Sequence, residues 1–154
     1  DNDIKQRLNS ISALFVLINI VYFLILELSG ATSNIEEMVR FGASRADLVF
    51  FNYEYFRLVS SMFMHFDIMH IAGNMIILFL LGERLEHVIG KVNFILIYLL
   101  SGIFSSVFSC IYDIYVNDMV VSAGASGAVF GIIGALIYIL AVSKRMVEGL
   151  ELEV

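Results

Sequence analysis

The chain is expected to fold as an all-α, polytopic membrane helical bundle with a long interfacial first loop. Three observations predict this. Hydrophobic residues fill 60% of the 154 positions and charged residues only 16%, against about half and about a quarter in ordinary soluble domains. Mean hydropathy is +0.89. The apolar excess is gathered into four blocks, which is the pattern of membrane spans and not of a large soluble core.

The blocks fall at about 11–28, 68–85, 94–112 and 123–142. Runs of roughly 17 to 20 residues, at about 1.5 Å rise per residue, cover most of a hydrocarbon core about 30 Å thick. The first run is interrupted by Ser12, Asn19, Tyr22 and Glu27, and it lacks a small-residue cleavage site, so it reads as a retained span. Gly82 and Gly90 are expected to bracket a short turn between the second and third spans. The stretch 29–67 is too long for a tight turn and too apolar for water. Its Ile35, Met38, Val39 and Phe41 recur beside Glu36, Glu37 and Arg40, which suits a short interfacial helix. Phe50, Phe51, Tyr53, Tyr55 and Phe56 are expected at headgroup depth.

Charge sets orientation and excludes classes of partner. Lys5, Arg7, Arg84, Lys91, Lys144 and Arg145 lie at one end of the spans, and Arg40, Arg45 and Arg57 at the other. Six basic residues against three place the N-terminus in the cytoplasm and the mouths of the second and fourth spans outside, extracytoplasmic in a bacterial plasma membrane. Net charge is −6 and no basic tract occurs, so nucleic acid is not an expected partner. Cys110 is the only cysteine; it forms no internal disulfide and is expected to pack as a small apolar side chain.

Two short polar stretches open the second and fourth runs at the same end. One is His70-Ile-Ala-Gly-Asn74, the other Gly124-Ala-Ser-Gly127. Polar groups at such depth are costly unless paired or used. Helical spacing stacks Asn74 beneath His70 on one face. An imidazole and a carboxamide so placed could donate to an oxyanion together with the backbone N–H of Ser126. The plainer alternative is a buried polar pair bridging helices, with Ser126 a helix-starting serine. Gly127, Gly131, Gly134 and Ala135 fall largely on one face and favour close helix approach; Gly73 beside Asn74 is expected to admit the serine helix. His65, Asp67 and His70 lack a second ligand cluster, so no metal is expected. His87 lies at the wrong end to serve Ser126. Either His70 or His65 could act as the base, or the base could lie beyond Val154.

Taken in order, Arg57-Leu-Val-Ser-Ser-Met-Phe-Met-His65, His70-Ile-Ala-Gly-Asn74, Gly82-Glu-Arg-Leu-Glu86 and Gly124-Ala-Ser-Gly127 closely resemble the rhomboid family of intramembrane serine proteases. The resemblance covers roughly residues 10–145. It implies that Ser126 is the nucleophile, that His70 and Asn74 help form the oxyanion hole, and that His65, Arg57 and Glu86 are structural. Phe56-Arg57 departs from the usual Trp-Arg pair. Phe130 takes a place where some members carry an aromatic that packs on the catalytic histidine. No cofactor is implied. The family's base is a histidine on a sixth helix, so the resemblance implies fifth and sixth helices beyond residue 154, or a partner chain supplying them, with a connection beginning at Glu148–Val154. Residues 1–154 alone are then expected to be inactive. The implied substrates are transmembrane proteins cut near the outer face. The alternative is a rhomboid-like pseudoprotease that binds membrane clients without cutting.

Overall fold

The structure, a computed structural model, describes residues 2–151. Four helices are long and apolar enough to cross a membrane: Ile11–Leu28, Ile68–Ile89, Lys91–Val116 and Ser126–Arg145. Helical backbone continues from the last of these to Glu151, so the expected connection at Glu148–Val154 is helical as far as it is described; residues 152–154 lie outside the described residues. Among the described residues no strand forms, and the protein is a multi-pass helical membrane protein.

The ends of the spans follow local chemistry. Ser10 caps the first span by accepting from the Ala13 amide at 3.0 Å, and Asp67 caps the second by accepting from the His70 amide at 2.8 Å. Gly90, at φ +83°, separates the second span from the third, in a backbone region that favours glycine. Gly82 does not border a turn. It lies inside the second span, in one wide π-helical turn over Leu78–Gly82. The cause is the first span: Ser12 is fully buried and donates to the Leu78 carbonyl at 2.6 Å. A Cβ at Gly82 would collide with the Ser12 hydroxyl. The widened turn and the missing side chain together make room for that hydroxyl.

The same two spans are locked again one turn lower. Glu86 is 6% exposed and accepts from the Ile11 and Ser12 amides, each at 3.0 Å. Its partners are thus the otherwise orphaned donors at a helix start, where a negative charge is also favoured by the helix dipole. Nearer the middle, Phe15, Phe63, Phe94 and Tyr98 form a ring cluster. Asn19, one turn further along the first span, donates to the Phe15 carbonyl at 2.8 Å and to the Tyr98 hydroxyl at 3.3 Å. In lipid the hydrophobic effect does not draw helices together, so packing and such bonds must do so.

The third and fourth spans approach closely through small residues. A Cβ at Gly127 would overlap Ser105, and one at Gly131 would overlap Ser101. Both pairs step by four residues, so they stack along one seam. Two expectations fail here. No atom lies within 4 Å of a Cβ built at Gly134 or at Gly73, and Gly73 is exposed; the serine helix packs chiefly on the third span.

The first loop is packed structure. Ile35–Phe41 is a helix, capped by Asn34 accepting from the Glu36 and Glu37 amides and ended by Gly42 at φ +115°. Two further short helices cover Ala46–Phe50 and Arg57–Ser60. Arg57 is 7% exposed; it reaches Glu54 at 2.6 Å, the Ala43 carbonyl at 3.0 Å, and the Val39 carbonyl. The Tyr22 hydroxyl of the first span donates to the Phe41 carbonyl. Phe51, Tyr53, Tyr55 and Phe56 are exposed. Cys110 is buried beside Ser44 at 3.4 Å.

One seam can be tested directly in the intact protein. Gly131→Ala is expected to destabilise it by about 1–3 kcal/mol through overpacking on Ser101. Adding Ser101→Gly should recover about 1 kcal/mol or more of that loss in reversible denaturation in micelles. Purely additive effects would remove the close-contact account.

Candidate active site

Ser126 is the first residue of the fourth helix, and the short segment before it is held by backbone from the first loop. Ser44 and Ser122 exchange two amide bonds, at 2.9 and 2.8 Å. The Gly124 amide then donates to the Ser61 carbonyl at 2.9 Å. These bonds fix the path of residues 122–124 before the helix starts, so the hydroxyl-bearing turn is positioned by the loop as much as by its own helix.

Gly124 is required twice over. Its φ of +138° lies where side chains are strained, and a Cβ there would stand 2.6 Å from Cε1 and 2.9 Å from Nε2 of His70. The imidazole of His70 therefore presents its Cε1–Nε2 edge to the chain two residues before Ser126. Both residues are half-buried. The structure thus brings together the second-span and fourth-helix motifs that the sequence places at one end.

His65 stands at the centre of this arrangement. It is fully buried, and its ring meets that of His70 edge-on at a centroid separation of 5.0 Å. The Ala125 amide donates to His65 Nε2 at 3.3 Å. An amide can only donate, so Nε2 is the bare nitrogen and Nδ1 carries the proton. The Asn74 carboxamide nitrogen lies 3.1 Å from the same Nε2 and is its second donor. Asn74, stacked beneath His70 by sequence spacing, is bonded instead to His65. Burial, and secondarily the His70 charge, push the His65 pKa down to about 4. Its ring is neutral at pH 7, and Nδ1 is buried without a partner among the described residues.

Behind Ser126 lies a cavity of about 320 Å³. Besides Ser126 and Gly127 it is lined by the hydroxyl-bearing residues Ser61, Ser105, Ser106, Ser109 and Ser122. Such a polar space is suited to ordered water, which needs several hydrogen-bonding partners. These serines were not singled out from sequence, although Ser101, Ser105 and Ser109 recur every four residues along one face of the third span. Phe130 points outward and is 71% exposed. His87 and Glu86 lie at the opposite end, beside Lys5 and Lys91. The Ser126 side chain has no hydrogen-bond partner among the described residues, so it is not already engaged as a helix cap.

Comparison with known proteins identifies the family. A family model described as the rhomboid domain matches residues 52–154. The chain is similar to rhomboid protease GluP of Bacillus subtilis (strain 168), 38% identical over 133 residues, which is 86% of this chain and 25% of that protein. It is 33% identical over 110 residues to RHOMBOID-like protein 7 of Arabidopsis thaliana, covering 71% of this chain and 33% of the relative. RHOMBOID-like protein 1 of the same plant is 35% identical over 98 residues, 64% of this chain and 24% of the relative. The chain thus spans about a quarter to a third of the length of these relatives. The match over most of its length and the ordered motifs lead to one conclusion: the chain belongs to the rhomboid family.

Proposed function

We propose that the intact protein is an intramembrane serine endopeptidase with Ser126 as its nucleophile. The observation that carries this reading is the position of an unengaged serine at a helix start, with a histidine packed on the glycine two residues before it. Ser126 Oγ attacks the carbonyl carbon of a substrate peptide bond and gives its proton to a base. The C–N bond then breaks as the leaving amine takes that proton, and an acyl-enzyme remains. A water molecule, deprotonated by the same base, hydrolyses the ester and restores the serine. The hydroxyl-lined cavity beside Ser126 is suited to hold that water where lipid would otherwise exclude it.

The developing oxyanion is stabilised by the Ser126 amide at the helix start, by His70 and by Asn74. Asn74 has a second amide hydrogen beyond the one directed at His65. His65 orients that carboxamide and the Ala125 amide and acts as a positioning residue. Being neutral, it adds no charge to compete with the oxyanion's partners. The rhomboid resemblance implies a histidine base on a helix outside residues 1–154; within them, His65 is committed to Ala125 and Asn74, and His87 sits at the far end. Substrates are membrane proteins with a locally unwound segment near the face that carries Ser126. The greater number of basic residues at the other end supports an outward-facing site in a bacterial plasma membrane. A second reading, a member that binds membrane clients without cleavage, differs from the first only in whether a base outside residues 1–154 reaches Ser126.

Labelling of the intact protein in detergent with a fluorophosphonate, read by mass spectrometry, separates the two. Modification at Ser126 that is lost in Ser126→Ala is expected. An unlabelled but folded protein would favour the non-cleaving reading.

Asn74→Ala is expected to lower kcat on a membrane substrate about 100-fold, the usual cost of losing one oxyanion donor. KM should change little. Unchanged kcat would remove Asn74 from that role.

Acid should weaken the fold through His65. Its folded pKa of about 4 lies below the ordinary 6.5, so the unfolded chain binds the proton more readily and stability falls as pH drops through this window. The contribution is complete above 6.5; about 2 kcal/mol is lost by about pH 5, and on the order of 3 kcal/mol below about pH 4. Thermal melts of the intact protein against pH should show this acid limb, and His65→Gln should flatten it.

A further inference from the structure

A second cavity, about 520 Å³, opens at the end of the bundle opposite Ser126, between the start of the first span, the end of the second and the start of the third. Lys5, Asn9, Ser10, Glu83, Glu86, His87 and Lys91 line it, and the catalytic reading uses none of it. Its two ammonium groups and two carboxylates sum to zero, but the carboxylates are turned toward other partners. Both oxygens of Glu86 are held by the Ile11 and Ser12 amides, and Glu83 faces the Arg7 guanidinium at 3.7 Å. Ser10 is occupied with the Arg7 carbonyl and the Ala13 amide. Lys5, His87 and Lys91 are exposed and have no ion-pair partner among the described residues. They leave two ammonium groups and an imidazole around a cleft, with the Asn9 amide as a neutral donor.

The opposite end of the bundle is built differently. There Arg40 is paired with Glu37 at 2.8 Å, Arg45 with Asp47 at 2.6 Å and Arg57 with Glu54 at 2.6 Å. Cations are neutralised within the protein at the serine end, whereas in this cleft they face outward. The cleft also sits where three spans leave the hydrocarbon, the depth at which lysine stems lie along apolar surface and their heads meet phosphates.

We propose that this cleft is a phosphate site that takes the headgroup of an anionic phospholipid. Inorganic phosphate from solution is the other source of the same chemistry. Lys5 and Lys91 supply the charge, and His87 and Asn9 supply directed donors. A cavity of this size accommodates a glycerophosphate group, and the Glu86 oxygens are directed at the Ile11 and Ser12 amides and not at the lysines.

The test is acylation footprinting of lysines in the intact protein, reconstituted in nanodiscs of phosphatidylcholine alone or with added phosphatidylglycerol. Phosphatidylglycerol should protect Lys5 and Lys91 several-fold and leave Lys144, outside the cleft, reacting as before. Native mass spectrometry should show phosphatidylglycerol retained over phosphatidylcholine, with Lys5→Gln/Lys91→Gln lowering that retention roughly tenfold. A third sample, phosphatidylcholine discs with inorganic phosphate, separates the sources: equal protection there would assign the cleft to a soluble anion and overturn the lipid. Equal protection of Lys144 would reduce the effect to general surface attraction. No protection in any sample would also overturn the proposal.

Discussion

The bond from the Ala125 amide to His65 Nε2 is the interaction on which the serine end depends. An amide one residue before a helix start has no partner within that helix, and in a membrane no bulk water replaces it. His65 satisfies it only while its ring is neutral and protonated on the other nitrogen. Burial enforces the neutral state, and the bond enforces the tautomer. Through the same nitrogen His65 also holds Asn74, so one imidazole joins the loop, the second span and the serine helix.

The bundle repeats this solution at each depth. At one end Glu86 closes the first amides of the first span; above it Ser12 enters the second span; near the centre Asn19 meets Tyr98; at the other end Arg57 gathers two loop carbonyls. Each is a polar side chain answering a specific backbone or hydroxyl group on a neighbouring element. Leucine-like surfaces gain little by leaving lipid for one another, so these directed bonds and the glycine–serine seam determine which helix lies beside which.

The spans were legible because the membrane imposes a length: runs as apolar as those after Ser10 and Ala123 have little alternative. Their ends were less so, since Lys91 and Val116 are compatible with either a turn or a helix. The approach of His70 to the Gly124 segment was legible because both motifs open their helices at one end. Gly73 misled for a geometric reason. Neighbours in a helix point about 100° apart, so being next to Asn74 directs Gly73 away from the site. Gly82 misled because a glycine before Glu-Arg looks like a stop, whereas its purpose depends on Ser12, seventy residues distant in sequence. The role of His65 was also tertiary: nothing local to Met64-His65-Phe66 indicates that its partners are Ala125 and Asn74.

The first loop explains how the turn that carries Ser126 can be held in place at the end of its helix. A serine at a bare helix start would sit at the frayed end of its helix, where backbone groups lack partners. Here the preceding segment is bonded to Ser44 and Ser61 of the loop, and the loop is braced in turn by Arg57 and Tyr22. Displacing any of these supports shifts Gly124, and Gly124 has no room to move toward His70 because even a Cβ would collide with that ring. The loop therefore sets the separation between the imidazole and the serine turn. In the proposed reaction that separation must be maintained to within a fraction of an ångström for charge stabilisation at a reacting carbonyl.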